Sequence, residues 1–582
     1  MEKWFVINKG ADFAGIAKRF GISPVTARLI RNRGVMGDEA IARYLKGGIG
    51  ELYDPHLLLD SDRLTDILVQ KISEQKKIRV IGDYDIDGVM STYILYKGIT
   101  RCGGSVDFQI PDRMKDGYGI NDHLIEQADE AGIDTIITCD NGIAAIGEIA
   151  HAKSLGMTVL VTDHHEIPYT EERGERHYKR SEADAIVNPK QMECTYPYKN
   201  LCGAAVAWKV IQILYEKCDI AVEESYDFLE NVAFATVGDV TDENRILVRE
   251  GLKRIHTTMN PGMRALILQN KLEPEQISSY HFGFVLGPCI NASGRLETAK
   301  IALNLFLQED VKKASEIAAE LVDLNAQRKD MTAEGVELAM QQVEEGNTGE
   351  KVLVVYLPDV HESLAGIIAG RIREACHKPT FVLTKSEDGV KGSGRSIEAY
   401  SMYEELCKCQ ELFTKFGGHP MAAGLSLPEA NVEIFREKIN ACCGLTEEDF
   451  IPKIKIDIPM PVDYPDIPLV NELLLLEPFG KANVKPQFAD KNLGIDRAVI
   501  VGKNQNVLKL TLKTERGKSI SAVYFGDVEE FREYYGRKYG ENEVQQAFLG
   551  RTNGIRMSVV YYPEINRYQG NESIQIVIKN YQ

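Results

Sequence analysis

The segment 78–91 constrains the chain more than any other, because in it an apolar run leads directly into closely spaced acids. The run from Ile78 to Ile81 is typical of a buried strand. Three aspartates then follow at alternate positions: Asp83, Asp85 and Asp87. Side chains two residues apart point the same way in an extended chain, so the three carboxylates are expected to converge. Gly88 then turns the chain, and residues 90–101 are expected to form a helix.

Three carboxylates this close together repel one another unless a cation neutralises them. One interpretation is that a single aspartate caps the following helix while the others face water. The other is a divalent metal site, because hard oxygen ligands suit Mg²⁺ or Mn²⁺. The alternating spacing of the three acids favours the metal site.

The same pattern, an apolar strand followed by acids, occurs twice more. Thr135–Cys139 is followed by Asp140, and residues 157–162 are followed by Asp163, His164 and His165. Helical patterns at residues 123–131 and 144–155 separate these strands, which predicts a parallel sheet with right-handed crossovers. Ligands bind at the carboxyl ends of such strands. The sequence therefore predicts one polynuclear metal site with Asp and His ligands at that edge.

Composition limits the class of protein. A chain of 582 residues is long enough for several domains, and 44% hydrophobic with 26% charged residues is typical of a soluble globular protein. The start has no signal-peptide pattern, and no stretch approaches the roughly 20 apolar residues that span a membrane. The 11 cysteines show no zinc spacing, which favours the reducing cytoplasm. A net charge of −18 argues against tight non-specific duplex binding but leaves room for a local basic groove.

Changes in pattern along the chain predict a multidomain α/β protein. Residues 1–60 are expected to form a helical segment that caps the first domain, and residues 61–305 the metal-binding domain. Residues 306–349 predict a long connector helix, with Ile317, Leu321 and Leu324 on one face. Residues 350–446 predict a second α/β domain, and residues 455–582 a small β-barrel such as the OB-fold.

Three residues outside the strand ends are candidates for binding a substrate. In the polar loop 110–121, Arg113 could hold a phosphate and Tyr118 could stack on a base, although both could equally be surface residues. Arg395 follows small residues that let backbone amides approach an anion, although this pattern is more often a tight hairpin.

The ordered motifs of the chain resemble the DHH phosphoesterase superfamily, and within it the RecJ family of bacterial single-strand-specific DNA exonucleases. The resemblance covers almost the whole chain. The motifs, in order, are Asp83-x-Asp85-x-Asp87-Gly88, Asp163-His164-His165, Gly238-Asp239, Gly294-Arg295 after Asn291, Gly392-Ser393-Gly394-Arg395-Ser396 and Phe416-Gly417-Gly418-His419-Pro420. Two positions depart from the family pattern: Val360 stands where a Trp is common, and Phe479–Val484 differs from the usual Phe-Gly-x-Gly-Asn-Pro.

The resemblance implies a role for each motif residue. Asp83, Asp85 and Asp140 would hold one metal ion, while Asp87, His164 and Asp239 join Asp140 around the other. His165, next to Asp163, would contact the scissile phosphate or orient a ligand, and both count as catalytic candidates. The residues implied in substrate binding, together with Arg113 and Tyr118, are Arg295, Arg371, Ser393, Arg395 and His419. His361 also matches a family position.

The implied activity is the removal of nucleotides from the 5′ end of single-stranded DNA by two Mn²⁺ or Mg²⁺ ions, in recombination and repair. The implied partners are a single-strand-binding protein and a RecQ-type helicase, and the protein is expected to be a cytoplasmic monomer. One alternative is a DHH phosphodiesterase of short oligonucleotides or cyclic dinucleotides, but such chains usually lack the C-terminal β domain. Another is a non-catalytic replication scaffold that has lost metal ligands, whereas here every ligand position is filled.

Overall fold

The computed structural model describes residues 2–113, 115–172, 175–347, 349–386, 389–502, 505–568 and 570–582. Met114, in the polar loop 110–121, lies outside the described residues. The chain divides into two units. The first comprises Leu52–Gly238 and Ile246–Pro452, and the second Glu2–Glu51, Asp239–Arg245 and Lys453–Gln582. In the described ranges no helix has both the length and the apolar character that a membrane span requires.

A five-stranded parallel sheet forms the base of the first unit. Its strands, in spatial order, are Ser105–Gln109, Lys77–Ile81, Thr135–Cys139, Thr158–Thr162 and Ala185–Val187. Helices cover both faces, so the central strand Thr135–Cys139 is buried along its whole length. The helices packed around this sheet are Ser61–Ser73, Ile86–Arg101, Asp122–Glu130, Ile146–Ser154, Gly203–Lys217, Leu229–Thr236, Pro261–Gln269, Gly287–Leu296 and Lys300–Leu307. The predicted parallel sheet is confirmed.

The helix after the first acidic motif begins at Ile86, four residues earlier than the sequence pattern predicts. Asp85 is its N-cap, and its Oδ1 accepts hydrogen bonds from the backbone amides of Asp87 (2.8 Å) and Gly88 (3.2 Å). The extended alternation therefore holds for Asp83 and Asp85 but not for Asp87, which lies in the first helical turn. The capping interpretation and the metal interpretation are compatible, because one carboxylate can serve both purposes.

A hairpin that the sequence analysis did not predict follows the Asp-His-His motif. Its strands are Tyr169–Glu172 and Glu175–Tyr178, paired antiparallel. Short 3-10 and π turns complete the connections of the first unit: Pro55–Leu57, Val222–Phe228, Pro274–Gln276, Phe282–Leu286, Val343–Asn347, Glu362–Leu364, Gln410–Leu412 and Glu429–Asn431.

The predicted connector is a single helix, Val311–Gln342, of 32 residues. At 1.5 Å per residue it is about 48 Å long. Asp310 caps it by accepting from the amides of Lys312 and Lys313. Leu321 and Leu324 are buried, as the periodicity predicts. The side chain of Asn325 reaches Cys289 of the sheet domain, and Gly335 packs against Ile368 of the following domain.

The second α/β domain of the first unit contains a mixed sheet. Its strands, in spatial order, are Lys415–His419, Ala422–Leu427, Gly389–Arg395, Thr380–Ser386 and Leu353–Tyr356. The last two pair in parallel and the others antiparallel. Its helices are Ala365–Cys376, Met402–Cys407 and Val432–Ala441. Helix Met402–Cys407 is short, and the chain after it turns to bury both Cys409 and Leu412.

The second unit contains a closed five-stranded barrel. Its strands, in order around the barrel, are Phe488–Val501, Val507–Lys513, Ser519–Phe525, Asn571–Tyr581 and Arg556–Tyr568, which pairs again with Phe488–Val501. The short strand Ile458–Pro459 adds to the edge. Helices Val528–Tyr539 and Glu541–Phe548 connect the third strand along the chain to the fourth, and helix Ile467–Leu473 precedes the barrel. The OB-type barrel predicted from the alternating pattern is confirmed.

The N-terminal segment belongs to the barrel unit, so the expectation that it caps the first domain is wrong for residues 2–51. Strand Lys3–Val6 pairs in parallel with Lys453–Ile456. The helices of the N-terminal segment are Phe13–Phe20, Pro24–Asn32 and Asp38–Lys46. Both the amide and the hydroxyl of Ser23 donate to Glu472, and Leu29 shares a hydrophobic core with Leu473. An amphipathic pattern predicts an apolar face but does not indicate which core that face joins.

Arg245 connects three separate stretches of the second unit. It lies at the end of the segment 239–245, within helix Asp242–Ile255, and is 1% exposed. Its guanidinium donates to the carbonyl oxygens of Tyr44 (3.0 Å), Leu475 (2.8 Å) and Leu476 (2.8 Å), and lies over the Tyr44 ring at 4.0 Å. A planar five-donor group suits this convergent set of acceptors, which a lysine ammonium cannot match.

We therefore expect Arg245→Lys to destabilise the protein by roughly 2–4 kcal/mol, because buried carbonyls lose their donors. Thermal and denaturant unfolding of the full chain measure this difference. Arg532→Lys, at an exposed position of a helix in the same unit, is the matched control and should change stability little. Equal stabilities of the two variants would contradict the conclusion that Arg245 stabilises the unit through its hydrogen bonds to these carbonyl oxygens.

Glu230 is a buried acid in the first unit with no cationic nitrogen within 4 Å in the described residues. It is 7% exposed, and its Oε1 accepts a hydrogen bond from the Thr258 hydroxyl at 2.8 Å. Burial is the largest influence and raises the pKa of Glu230 to about 7; the Thr258 hydrogen bond opposes it, and the charge of Asp227 adds to it.

The raised pKa makes stability depend on pH with a defined sign. Between the ordinary value of 4.5 and about 7, the unfolded chain has lost a proton that the folded chain keeps, so stability falls as pH rises. At about 1.4 kcal/mol per unit, the loss across this window is roughly 3 kcal/mol. We expect Glu230→Gln to remove this fall in stability between pH 4.5 and about 7, whereas Glu130→Gln, at an exposed position, should retain it. Parallel pH dependences of wild type and Glu230→Gln would refute the assignment.

Candidate functional site

The acids and histidines that end the parallel strands lie together at the carboxyl edge of the sheet. Ligand atoms of Asp83, Asp85 and Asp140 lie within 4.8 Å of one another, and so do those of Asp140, His164 and His165. Asp140 belongs to both groups. The edge therefore carries two adjacent clusters that share one carboxylate, as the sequence pattern predicts for a polynuclear site.

The backbone around Asp140 allows a neighbouring helix to approach this residue closely. Asp140 adopts a left-handed conformation, with φ of 60°, which is uncommon for a residue with a side chain. Its carbonyl oxygen accepts a hydrogen bond from the Tyr118 hydroxyl at 2.7 Å. Gly203 faces it, and a Cβ at that position would lie 2.8 Å from the Cβ of Asp140. The start of helix Gly203–Lys217 can therefore approach the site only because residue 203 is glycine.

Buried carboxylates crowd this edge with too little positive charge to balance them. Asp83 and Asp140 are 1% and 2% exposed, and the Oδ1 atom of each accepts no hydrogen bond from the described residues. Burial, and then the charge of Asp85, raise the pKa of Asp83 to about 8. Burial, followed by the charges of Asp87 and Asp85, raises the pKa of Asp140 well above its ordinary value. Ionised carboxylates in this arrangement need a cation.

The donor set fits a small divalent ion. Nε2 of His164 lies 2.9 Å from Oδ1 of Asp140 without hydrogen-bond geometry between them. Two neighbouring ligands of an octahedral ion at 2.1 Å are about 3.0 Å apart. Oxygen ligands with one or two imidazoles suit Mn²⁺, and the carboxylates alone suit Mg²⁺. The residues present therefore match the metal chemistry that their sequence pattern predicts.

Asp87 links the site to a second helix. Its two carboxylate oxygens accept from the backbone amides of Gly203 and Ala204, each at 2.7 Å. Its Oδ2 also lies 3.4 Å from Nε2 of His164. Each carboxylate oxygen has two lone pairs, so Asp87 can cap helix Gly203–Lys217 and still face an ion.

Asp163 is buried and positions its neighbours. It accepts hydrogen bonds from the amides of Ile143, His164 and His165, and from Nδ1 of His165 at 2.8 Å. Burial alone would raise the pKa of Asp163, but the hydrogen bond and charge of His165 lower it below the ordinary value. Asp163 therefore fixes the orientation of the His165 ring, and its own carboxylate is not available to a substrate.

Asp239, the last sequence-predicted metal ligand, belongs to the second unit. It lies in the segment 239–245, and its Oδ1 accepts a hydrogen bond from the Thr241 hydroxyl at 2.8 Å. Its role as a ligand stays a prediction.

A cationic cavity of about 450 Å³ lies within the first unit, between the sheet domain and the second α/β domain. It brings together four residues predicted to bind substrate: Arg113, Arg295, Ser393 and Arg395. Lys391 and Lys415 also line it, and Glu362 is its one carboxylate in the described residues. Glu362 pairs with Lys391 at 3.0 Å, so the other cations in the cavity lack an acidic partner there.

Arg295 reaches the cavity from a helix that also supports the metal site. Asn291 of the same helix accepts a hydrogen bond from the amide of Ile86, beside the metal cluster. Arg295 donates to the carbonyl oxygen of Ser363 at 2.6 Å, and Arg113 lies 4.8 Å from the centre of the Tyr84 ring. Burial, followed by the charge of Arg113, lowers the pKa of Arg295 to about 10.

Arg395 is held by its own strand rather than by an acid. It donates to the Ser393 hydroxyl (3.1 Å) and to the Gly394 carbonyl oxygen (2.8 Å). Burial, and then the charge of Arg373, lower the pKa of Arg395. A Cβ on Gly366 would lie 2.7 Å from the Arg395 guanidinium, so the start of helix Ala365–Cys376 also closes on this group. Converging cations at a helix N-terminus form an anion site.

Three residues predicted to bind substrate, Tyr118, Arg371 and His419, do not line the cavity, and neither does His361. Arg371 is exposed and pairs with Glu374 at 3.5 Å. His361 caps a short 3-10 turn through the Ser363 hydroxyl and amide. His419 is exposed at the end of strand Lys415–His419. Their roles in binding stay predictions.

Sequence reasoning missed four residues of the site: Tyr84, Asn188, Lys391 and Lys415. Tyr84 stacks against Arg113 and lies between two metal-cluster acids, a position that could have singled it out. Asn188 donates to the carbonyl oxygen of His165 at 3.0 Å. Lys391 and Lys415 immediately precede quoted motifs, but nothing in the sequence distinguishes them from surface lysines.

Three family descriptions match successive parts of the chain. The DHH family, N-terminal domain, matches residues 77–236, the DHHA1 domain residues 349–445, and the RecJ OB domain residues 456–580. The chain is 34% identical over 572 residues to the single-stranded-DNA-specific exonuclease RecJ of Bacillus subtilis (strain 168), covering 97% of this chain and 69% of that relative.

Solved structures share the fold. The crystal structure of RecJ from Thermus thermophilus in complex with Mn²⁺ has a TM-score of 0.78 and 24% identity, covering 100% of this chain and 79% of that one. The complex of the same protein with Mg²⁺ has a TM-score of 0.75 and 23% identity, covering 100% and 78%. The fold and the site thus define a protein of the DHH class, with a DHH-associated domain and an OB barrel. Within that class, the chain belongs to the RecJ family.

Proposed function

We propose that the protein is a metal-dependent exonuclease of single-stranded DNA. The observation that carries this proposal is the pair of ligand clusters that share Asp140, because two ions with a common ligand suit phosphodiester hydrolysis. Membership of the RecJ family supports the substrate, since the relatives named above are single-stranded-DNA-specific exonucleases. The OB barrel supports it too, because this fold often binds single strands.

The proposed ligands fall into two groups around Asp140. Asp83 and Asp85 hold one ion with it, while Asp87, His164 and Asp239 hold the other. Mn²⁺ or Mg²⁺, when bound, activates a water molecule and stabilises the leaving oxygen. The chain itself fixes the positions of these groups: Asp85 and Asp87 are held by helix amides, and Asp163 holds the His165 ring.

The cationic cavity accounts for the proposed 5′→3′ polarity. An exonuclease must recognise an end, and a 5′-terminal phosphate is the most distinctive anion on a DNA strand. Arg113, Arg295, Ser393 and Arg395 converge in one cavity, and Asn291 ties the helix of Arg295 to the metal loop. A phosphate bound there sets the first nucleotide over the metal cluster, and Tyr118, Arg371 and His419 are proposed to contact the strand beyond it.

Two other functions are less well supported. A phosphodiesterase of short oligonucleotides or cyclic dinucleotides has no evident use for the OB barrel of residues 488–581. A non-catalytic scaffold does not account for the filled ligand positions, in which Asp83 and Asp140 are buried without hydrogen-bond partners at Oδ1 in the described part of the chain. Rates of cleavage of a dinucleotide and of a long single strand separate the first alternative from the proposal.

The proposed division into domains follows the sequence boundaries: 1–60, 61–305, 306–349, 350–446 and 455–582. The matches to residues 77–236, 349–445 and 456–580 support it. The first segment, however, packs with the barrel unit through residue 51. We further propose that the protein acts as a cytoplasmic monomer in recombination and repair, beside a single-strand-binding protein and a RecQ-type helicase.

The metal assignment predicts that Asp85→Asn and Asp140→Asn abolish nuclease activity and weaken Mn²⁺ binding. Asparagine keeps the helix-capping geometry at residue 85, so the fold should survive the loss of charge. Removing one of several repelling charges should leave the apoprotein at least as stable as wild type. Activity on a single strand, calorimetric titration with Mn²⁺ and thermal unfolding test the three points.

The matched control for these variants is Asp129→Asn, an exposed acid of the same domain. It should retain wild-type turnover and Mn²⁺ affinity. Near-normal nuclease rates in either metal-site variant at saturating Mn²⁺ would refute the assignment of that residue.

The pocket assignment predicts that Arg395→Ala weakens binding of 5′-phosphorylated strands much more than of 5′-hydroxyl strands. A charge-assisted hydrogen bond to the terminal phosphate contributes roughly 1.5–3 kcal/mol, or about 10- to 150-fold in affinity. Binding of both strand types is measured with Ca²⁺ in place of the catalytic ion, and Mn²⁺ affinity should be unchanged. Lys385→Ala, an exposed cation of the same sheet, is the control. Equal losses on both strand types would exclude the pocket as the end-recognition site.

A further inference from the structure

A second cavity in the first unit takes no part in the site described above. Its volume is about 550 Å³, within the range of small-molecule sites. Helix Ile86–Arg101 contributes Tyr93, Lys97 and Arg101 to its wall, helix Leu229–Thr236 contributes Glu230, and the turn before it contributes Asp227. None of these residues lines the cationic cavity or belongs to the ligand clusters.

The charged groups of this cavity are only partly paired. Arg101 and Glu224 neutralise each other through two hydrogen bonds of 2.9 and 3.1 Å. In the ranges that the structure describes, neither Lys97 nor Asp227 has an opposite charge within 4 Å. The Thr258 hydroxyl donates a hydrogen bond to Oε1 of Glu230, and the other oxygen of that carboxyl group can accept one from a ligand. Arg254 also lines the cavity, and its guanidinium lies 3.8 Å from Glu250 of its own helix. Apart from these two paired arginines and Glu224, one ammonium group and two carboxyl groups stand on the wall of the cavity among the described residues.

We propose that this cavity binds a small zwitterion of the α-amino acid class. The ligand carboxylate would pair with Lys97, and its ammonium group with Glu230 and Asp227. This arrangement satisfies charges of both signs that the protein leaves unpaired, and hydrogen bonds between charged groups are the strong ones. Glu230 is 7% exposed, so water screens its interaction with a cationic partner less than it would at the surface.

Other ligand classes fit this wall less well. An inorganic or nucleotide phosphate would face Asp227 and Glu230 without enough cations to offset them, since Arg101 is paired with Glu224 and Arg254 with Glu250. A simple polyamine would pair with the two acids but would leave Lys97 facing another positive charge. A neutral apolar ligand would bury the unpaired ammonium and carboxyl groups without partners.

The cavity also touches two helices that reach towards the metal cluster. Helix Ile86–Arg101 carries Asp87 in its first turn and Lys97 further along. Helix Leu229–Thr236 carries Glu230 in its first turn and ends three residues before Asp239. An occupant would therefore contact helices that position proposed ligands, although the binding inference itself does not depend on the nuclease assignment.

The test uses the full-length protein and the standard L-amino acids, each added at millimolar concentration in thermal unfolding and followed by calorimetric titration of those that stabilise. We expect at least one amino acid to bind. Lys97→Met and Glu230→Gln should each weaken that binding by at least about tenfold, the loss expected for one charge-assisted hydrogen bond. Lys312→Met, an exposed lysine of the connector helix, should leave it unchanged.

Three comparisons separate a zwitterion site from its alternatives. The corresponding carboxylic acid without the amino group, and the amine without the carboxylate, should each bind much more weakly than the amino acid. Inorganic phosphate and spermidine should not compete with it. Failure of every amino acid to bind, unchanged binding in both variants, or preferred binding of phosphate or spermidine would overturn the proposal. Circular dichroism of both variants establishes that any loss of binding occurs in folded protein.

Discussion

The position of Asp140 is the constraint on which the rest of the site depends. One carboxylate belongs to both ligand clusters, so every other ligand must reach the same point at the end of the central strand. Asp140 itself adopts a left-handed backbone conformation, and glycine at position 203 leaves room for the neighbouring helix. The same crowding raises the pKa of Asp140 and Asp83, so the folded protein holds carboxyl groups that are stable as ions only beside cations.

Helix starts, rather than loops, hold two further acids of this edge, Asp85 and Asp87. Asp85 accepts amide hydrogen bonds from its own helix, and Asp87 accepts them from the start of helix Gly203–Lys217. Burial and the charge of Asp87 raise the pKa of Asp85, and the amide hydrogen bonds from Gly88 and Asp87 only partly oppose them. Oxygens held in this way lose little conformational entropy when they coordinate. The site is therefore preorganised by ordinary helix capping, which also explains why aspartates rather than glutamates, with their longer side chains, occupy these positions.

The strands and the acids that end them could be predicted from the sequence, because apolar runs of strand length and the rule for parallel sheets are local patterns. Thr135–Cys139 has the predicted bounds. The position of the N-terminal segment could not be predicted, since Ser23 meets Glu472 across 449 residues of sequence. Nor could the role of Asp163, because it follows from hydrogen bonds made around a turn. The extended reading of Asp87 failed because helix capping by Asp85 began the helix earlier.

The cationic cavity likewise combines residues that local motifs single out with residues that only the folded structure brings in. Arg295 and Arg395 stand in quoted motifs, but Lys391 and Lys415 become part of the cavity only when two strands of the second α/β domain are placed in one sheet.

The cavity also reconciles an acidic chain with an anionic substrate. The net charge of −18 is a sum over the whole surface, whereas a phosphate responds to the charges within a few ångströms of it. In the cavity, burial and the charges of neighbouring arginines lower the pKa of Arg295 and Arg395, and Glu362 is committed to Lys391. Their positive field is therefore left for a ligand. If acids neutralised these arginines, the terminal phosphate would gain little from binding there, and the metal cluster alone would have no means of telling one end of a strand from the other. In the proposed end recognition, polarity thus depends on cations that the fold keeps together without acidic partners in the cavity.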